Sequence, residues 1–525
     1  MFDRKKSAMP IAISIAVVLG SGVVLALRAE IDDSVPAANT RAGAPANVTI
    51  DDYKLIRIAQ GSDPLENPSG VITTFGYLNN ASRTRTEPDE NTYLAFDHNP
   101  GGPTAGYDYG RRFLYQGHEN GGGMAYLTRI NLDVADPAHR ITLLTPVGPN
   151  GATGFSSIDG STWNPFTRSL LFTQESASTK GVIELSAGWP PAIRTLEGIV
   201  GTGGFEGIHP DDDGNLLIIE DAGGVGVNVV PTDPSSPKTA KQPNSFVYRF
   251  VPYDRTNIAA GGRMYALQVS VEGSPIRFHA ADPVGDTFST AQLELHTLGT
   301  SWPAQWVLIH DTATDGTASF SANAAAKARG ASPFKRPENA QFLPGSDFNT
   351  FFFDATGDTD ATSGEQPALA ARGAWGSIFR VDFRDRNPIG TLSIVVLGDA
   401  AHASFDNLAF ADDHTLLAAE DRGDGLHEQL GFMDSVWAYD VHGAHLRPRR
   451  LLALGRDTDA AAAVAAGGDG DNEPTGLHVS DGDASVRGLL GRALHESRTR
   501  WFVTQQHGLN QVWEFVSAER GEPDR

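Results

Sequence analysis

One pattern recurs along the chain and limits what it can fold into: a short apolar run, bounded by turn residues, with acidic side chains where it opens or closes. In "GGFEGIHPDDDGNLLIIED", Glu206 stands before a short arm, "PDDDGN" makes a turn, and the run "LLII" ends at Glu220 and Asp221. This stretch reads as an antiparallel hairpin whose two acidic ends lie side by side, where their charges repel. Thr162 opens "TWNPFTRSLLFTQES", which closes on Glu175, and Glu338 opens "ENAQFLPGSDFNTFFFDATGD", which closes on Asp354. Asp406 opens "DNLAFADDHTLLAAEDRGDG", closing on Glu420 and Asp421. Glu473 opens "EPTGLHVSDGD", and after an insertion "RWFVTQQHG" closes on Gln506 and His507. Upstream, "RRFLYQGHENGGG" supplies a closing half that ends at His118 and Glu119.

No long amphipathic helix follows residue 50; "ANAAAKARGA" and "AAAVAAGG" each suit a helical turn or two. Most apolar runs are short, β-branched or aromatic, and punctuated by Gly, Pro, Asp or Asn, as in an all-β chain. A hairpin that recurs with outer strands and variable insertions predicts a β-propeller of about five to six blades. Its innermost strands surround a channel, so the opening and closing acids converge on one axial site. A polyvalent cation there would let the charges tolerate one another.

There is no cysteine, which excludes disulfides, thiolate zinc sites and cysteine nucleophiles. The formal charge of −23 disfavours nucleic acid and anionic membranes as partners. An anionic substrate therefore needs a local positive centre, either arginine or metal. Arg4, Lys5 and Lys6 precede an apolar run from Ala8 to Leu27, which reads as an export signal or an uncleaved anchor. The expected organisation is a signal peptide or membrane anchor over 1–30, a flexible linker over 31–50, a propeller over 51–516 and a tail over 517–525. The bulk of the chain is then exported: periplasmic, extracellular, or anchored on the outer side of the cytoplasmic membrane.

Several segments, in order, resemble the PhoX-type alkaline phosphatases. "YQGHENGG" resembles their Asn-His-Glu element, and "STWNPFTRSLLFTQES" their Thr-Trp-Gly…Leu-Thr-Cys-Glu-Glu segment. "GGFEGIHPDDDG" resembles Phe-x-His-Glu, "FKRPENAQF" Arg-Pro-Glu-Gly, and "EPTGLHVS…WFVTQQHGLNQ" the closing Gln-His-Pro-Gly. The resemblance runs from about Leu55 to Phe515. It implies a propeller with calcium and iron in a central site, hydrolysing small phosphate monoesters outside the cytoplasm. Carried across, Glu119, Glu175, Glu206 and Glu338 fall on metal-site carboxylates, and Arg336 on the arginine that faces the phosphate. Asp421, Glu473 and His507 join the metal set through the repeat pattern. The family's iron-bridging cysteine corresponds to Gln174, its second glutamate to Ser176, and the proline after Gln506-His507 to Gly508. Phe205 replaces the histidine before the hairpin glutamate. A neutral amide is no substitute for a bridging thiolate, which counts against the iron pair and leaves hard oxygen ligands suited to calcium. The alternatives are a non-catalytic calcium-binding propeller and a calcium-dependent lactonase or esterase.

Overall fold

Runs such as "LLII" carry apolar side chains on both faces, so a strand built from them must be covered on both sides. A radial stack of small sheets does this, each face packing on a neighbouring blade. The computed structural model describes residues 34–36, 47–77, 86–176, 179–383, 389–442, 447–455, 473–480 and 500–517. Its strands form six antiparallel meanders. Their innermost strands are Glu87–Ala95, Ile158–Asn164, Phe205–Pro210, Ala340–Phe342, Phe405–Phe410 and Pro474–Val479. Each of these contacts the next, and the last returns to the first, so they close into a ring around an axis. We number the blades one to six in that order.

The second strands are Arg112–Glu119, Ser169–Gln174, Leu216–Glu220, Thr350–Ala355, Thr415–Glu420 and Trp501–Gln505. Blade six is completed by Tyr53–Ala59, which pairs with Val512–Ser517 and so closes the ring with strands from both ends of the propeller. Blades three and four are joined through Trp302–Asp311, which pairs with the outer strand of each to make one ten-stranded sheet. Separate apolar clusters lie between blades; one unites Leu114, Tyr126 and Phe75 of the first blade region with Phe502 and Val512 of the sixth.

The longest helices among the described residues, Ala322–Arg329 and Gly423–Leu430, have eight residues each. The first is the expected "ANAAAKARGA" helix, begun by the Ser321 hydroxyl, which accepts a bond from the Ala324 N–H. "AAAVAAGG" lies outside the described residues, as do 1–33 and 518–525. The export or anchor expectation over 1–30 therefore falls outside them too. Among the described residues no helix is long and apolar enough to cross a membrane. The linker expectation over 31–50 meets a different arrangement where residues are described. Val48–Thr49 adds a fifth strand to blade five against Leu452 and Ala453, and the Val35 N–H bonds the Arg450 carbonyl. An open sheet edge offers unpaired backbone groups, and this segment satisfies them.

Candidate metal centre

Every inner hairpin carries the same irregularity at its axial end. The last N–H of the second strand's arm bonds back to the residue that opens the inner strand: Glu175 to Ser157, Asp221 to Gly204, Thr356 to Arg336, Asp421 to Ser404 and Gln506 to Glu473. In blade one Glu119 pairs with Glu87. Just beyond that point the register slips in a β-bulge, for example between Ile158 and Ser161, Phe205 and Ile208, or Phe405 and Leu408. A bulge redirects a side chain out of the ladder. Two residues past the opening position stand Asp89, Asp159, Glu206, Glu338 and Asp406, with Thr475 in the sixth blade.

The neighbouring inner strands then come very close. At the next position Gly160, Gly207 and Gly476 have no room for a side chain. A Cβ on Gly160 would lie 2.2 Å from the Glu206 carbonyl oxygen, and one on Gly207 would lie 2.9 Å from Asn339 Oδ1. The Gly207 N–H bonds the Glu338 carbonyl directly across the blade boundary.

The bulged acids form an inner ring, and Glu119, Glu175, Asp221 and Asp421 a rim above it. Asp89, Glu119 and Asp159 place one carboxylate oxygen each within 4.8 Å of one another; so do Asp159, Glu175 and Glu206. Asp159 belongs to both groups. Burial pushes Asp89 up to about 6 and Glu175 up to about 7, with Asp421 and Glu87 adding to the first and Asp221 to the second. Glu119, Asp159, Glu206, Glu338 and Asp406 are held well above the usual carboxylate range, first by burial and then by the charge of neighbouring acids. Such packing of buried acids favours protonation or a cation. The donor set is oxygen alone, as hard cations prefer.

Arg336 lies at the edge of this ring. Its Nε donates to Asp221 Oδ2 (2.7 Å) and its Nη2 sits 3.4 Å from Glu338 Oε1. Burial opposes its charge, but Asp221, Glu338 and Asp421 outweigh that and hold its pKa well above the usual value. The side chain keeps 19 % exposure, so it faces both the ring and the mouth of the channel. Its backbone adopts φ 52°, an uncommon conformation for a non-glycine residue and frequent at functional sites.

Most sequence-derived site residues thus gather at one end of the channel: Glu119, Glu175, Glu206, Glu338, Arg336, and Asp421, whose charge acts on Asp89 and Arg336. Glu473 hydrogen-bonds Asp406. His507 is near, with Nε2 3.7 Å from Glu473 Oε2 and Nδ1 3.8 Å from Glu87 Oε1. Several other histidines do not gather there. His118 packs against Phe75 and Tyr126 and bonds Thr86 and Thr128; His427 bonds Asp434, and His402 bonds Asp399.

Three hairpin readings are corrected. Blade two opens before Thr162, and its ring acid is Asp159. In blade four the closing position is Thr356, whose hydroxyl bonds Glu338; Asp354 lies two residues earlier, fully buried, accepting from the Asn339 N–H. In blade one, Glu87 and Asp89 supply the opening half to the closing residues His118 and Glu119. Gln506 does more than close its hairpin: its amide donates to both Asp89 Oδ2 (2.7 Å) and Glu119 Oε2 (3.2 Å). Gln174 is buried with its amide committed to the Gly181 carbonyl and the Ser156 N–H, each at 3.2 Å.

The family model for alkaline phosphatase PhoX matches residues 226–486, a span that includes Arg336, Glu338, Asp406, Asp421 and Glu473. Residues 226–486 belong to the PhoX family. The structure of Pseudomonas fluorescens PhoX in complex with vanadate, a transition state analogue, is similar to this chain with a TM-score of 0.56 at 12 % identity, covering 93 % of this chain and 98 % of that one. An auxiliary nutrient binding protein from Bacteroides thetaiotaomicron is similar with a TM-score of 0.38 at 10 % identity, over 88 % of this chain and 76 % of its own. At such identities the likeness concerns the fold. No curated protein sequence matches the chain.

Proposed function

We propose that this chain is an exported, metal-dependent phosphatase of small phosphate monoesters, with calcium in the carboxylate ring and Arg336 binding the phosphoryl group. The observation that carries this reading is the double membership of Asp159. One carboxylate shared by two oxygen clusters, all of them buried and crowded, is the arrangement of adjacent cation sites. Asp89, Glu119, Asp159, Glu175 and Glu206 are the residues that would hold the cations, with Glu338, Asp406, Asp421, Glu473 and His507 around them. Bound cations would supply positive charge against which a phosphoryl oxygen is polarised and a water acidified.

The chain's own contribution is placement. The Arg336 guanidinium presents its remaining N–H groups beside the ring, where a planar fork suits two phosphoryl oxygens. Asp221 and Glu338 fix that fork, and Gln506 orients Asp89 and Glu119. Export rests on the N-terminal sequence, and membrane attachment would be through the same segment. Iron fits poorly: Gln174 stands where the bridging thiolate is expected, and its amide is spent on backbone.

Arg336→Ala tests the reading. We expect kcat/KM for a generic phosphomonoester to fall about 100–1000-fold, the usual loss when one preorganised donor is removed, with the chain still folded in calcium. Unchanged turnover would overturn the role of Arg336. Bound calcium with lactone hydrolysis, or with no turnover, would favour the lactonase or the binding propeller.

A further inference from the structure

A second cation reaches the neighbourhood of Arg336 from an insertion in blade three. Lys241 ends the short hairpin formed by Gly226–Val227 and Ala240–Lys241. Its ammonium is half-buried and bonds the Thr359 hydroxyl at 3.2 Å; among the described residues no carboxylate pairs with it. Burial and the Arg336 charge lower its pKa, while Asp221, Asp358 and Glu338 work the other way. It therefore shares the electrostatic surroundings of Arg336 without sharing its ion pairs.

Both cations are set in place by one buried acid. Asp358 takes the Lys335 ammonium on its two oxygens, at 2.9 and 3.0 Å, and also accepts the Lys241 backbone N–H at 3.0 Å. Lys335 immediately precedes Arg336, and its ion pair with Asp358 is almost completely buried. Lys335 is thus committed to structure, whereas the charge of Lys241 is left for something else. With a hydroxyl and no carboxylate as its direct partner, this ammonium has donors left for an incoming anion.

We infer that Lys241 is a second cationic contact for the substrate's phosphoryl group, acting beside Arg336 to favour dianionic phosphate monoesters over singly charged diesters. This rests on the phosphatase reading above. A dianion gains from two nearby positive charges, whereas a monoanion gains much less from the second. Lysine acts here as a point charge and not as a planar fork, so it adds charge preference without imposing one orientation.

The test uses the full chain loaded with calcium. Wild type, Lys241→Met and Lys241→Arg are compared for hydrolysis of 4-nitrophenyl phosphate and bis(4-nitrophenyl) phosphate, and for inhibition by inorganic phosphate. Lys241→Met should raise the monoester KM and the inhibition constant for phosphate about tenfold, the factor for one lost charge-assisted contact. Its kcat and its diester kinetics should change by less than about threefold, and Lys241→Arg should recover most of the loss. Lys241→Gln serves as a second neutral variant should the methionine form not fold. A folded neutral variant with unchanged KM and phosphate inhibition overturns the inference while leaving the phosphatase reading standing. Equal weakening toward monoester and diester overturns the charge preference. Wild type that neither turns over the monoester nor binds phosphate overturns the underlying reading as well.

Discussion

Asp159 is the side chain on which the centre turns, because its carboxylate belongs to both oxygen clusters and bonds Glu206 between them. Asparagine at this position keeps the shape and removes one negative charge. Two opposite effects follow. Without metal, Asp159→Asn relieves repulsion, and the Tm in chelator should rise by roughly 2 °C. With calcium, binding should weaken by at least the 10–100-fold typical of losing even an outer-sphere partner, roughly, and the Tm gain on adding calcium should shrink. Paired thermal melts with chelator and with calcium check this; a variant less stable in both conditions would make Asp159 a structural acid only. Arg336 shows the same logic in reverse, since three acids raise its pKa and its charge offsets theirs.

At the scale of the element, the unit is the bulged inner strand. Aligned on the bulge, the segments read Pro88-Asp89-Glu90, Ile158-Asp159-Gly160, Phe205-Glu206-Gly207, Pro337-Glu338-Asn339, Phe405-Asp406-Asn407 and Pro474-Thr475-Gly476. A proline or large apolar residue, then an acid, then a glycine or amide describes four of the six; Glu90 takes the third place in blade one and Thr475 the second in blade six. The hairpins and the propeller were legible because apolar runs and turn residues reveal strands regardless of register. Asp159, Asp89 and Glu87 were missed for a definite reason. A bulge breaks the two-residue alternation on which strand reading depends, so an acid in the bulge looks like a loop acid. The Pro-acid pairs in "EPDE" and "RPEN", and the parallel "EPTG", were the available signal. Proline is tolerated there because a residue at the start of a strand or beside a bulge need not donate to the ladder.

Blade five also holds a buried charge network: Arg422 bonds Glu420 at 2.7 Å and stands 3.8 Å from Asp434, which in turn meets His427 at 2.8 Å. Arg422→Met leaves Glu420 and Asp434 without their shared cation and should cost about 3–5 kcal/mol, read by chemical denaturation. A loss below about 1 kcal/mol, the surface-pair range, would contradict the burial argument.

Across the whole molecule, the axial acids make stability depend on pH and on metal together. Asp89 rises from 3.8 to about 6 and Glu175 from 4.5 to about 7 on folding. Each folded value lies above the unfolded one, so the folded chain binds extra protons in between. That stabilisation is complete below about pH 4 and is lost as pH rises through about 6 to 7. The chelated protein should therefore melt at progressively lower temperature from about pH 4 to pH 8, and added calcium should recover most at the alkaline end. A chelated protein whose Tm climbs over that range would contradict the assignment. The net charge of −23 adds to the repulsion at high pH.

On the proposed function, the six converging hairpins hold a cation-dependent phosphatase centre. Its most direct test is one preparation of the full chain, analysed for bound metals and assayed on a phosphomonoester before chelation, after chelation and after calcium is restored. Bound calcium, turnover that disappears with the metal, and recovery when calcium alone returns are the expected results. Calcium held tightly with no phosphomonoester turnover, whether or not iron is added, would contradict it.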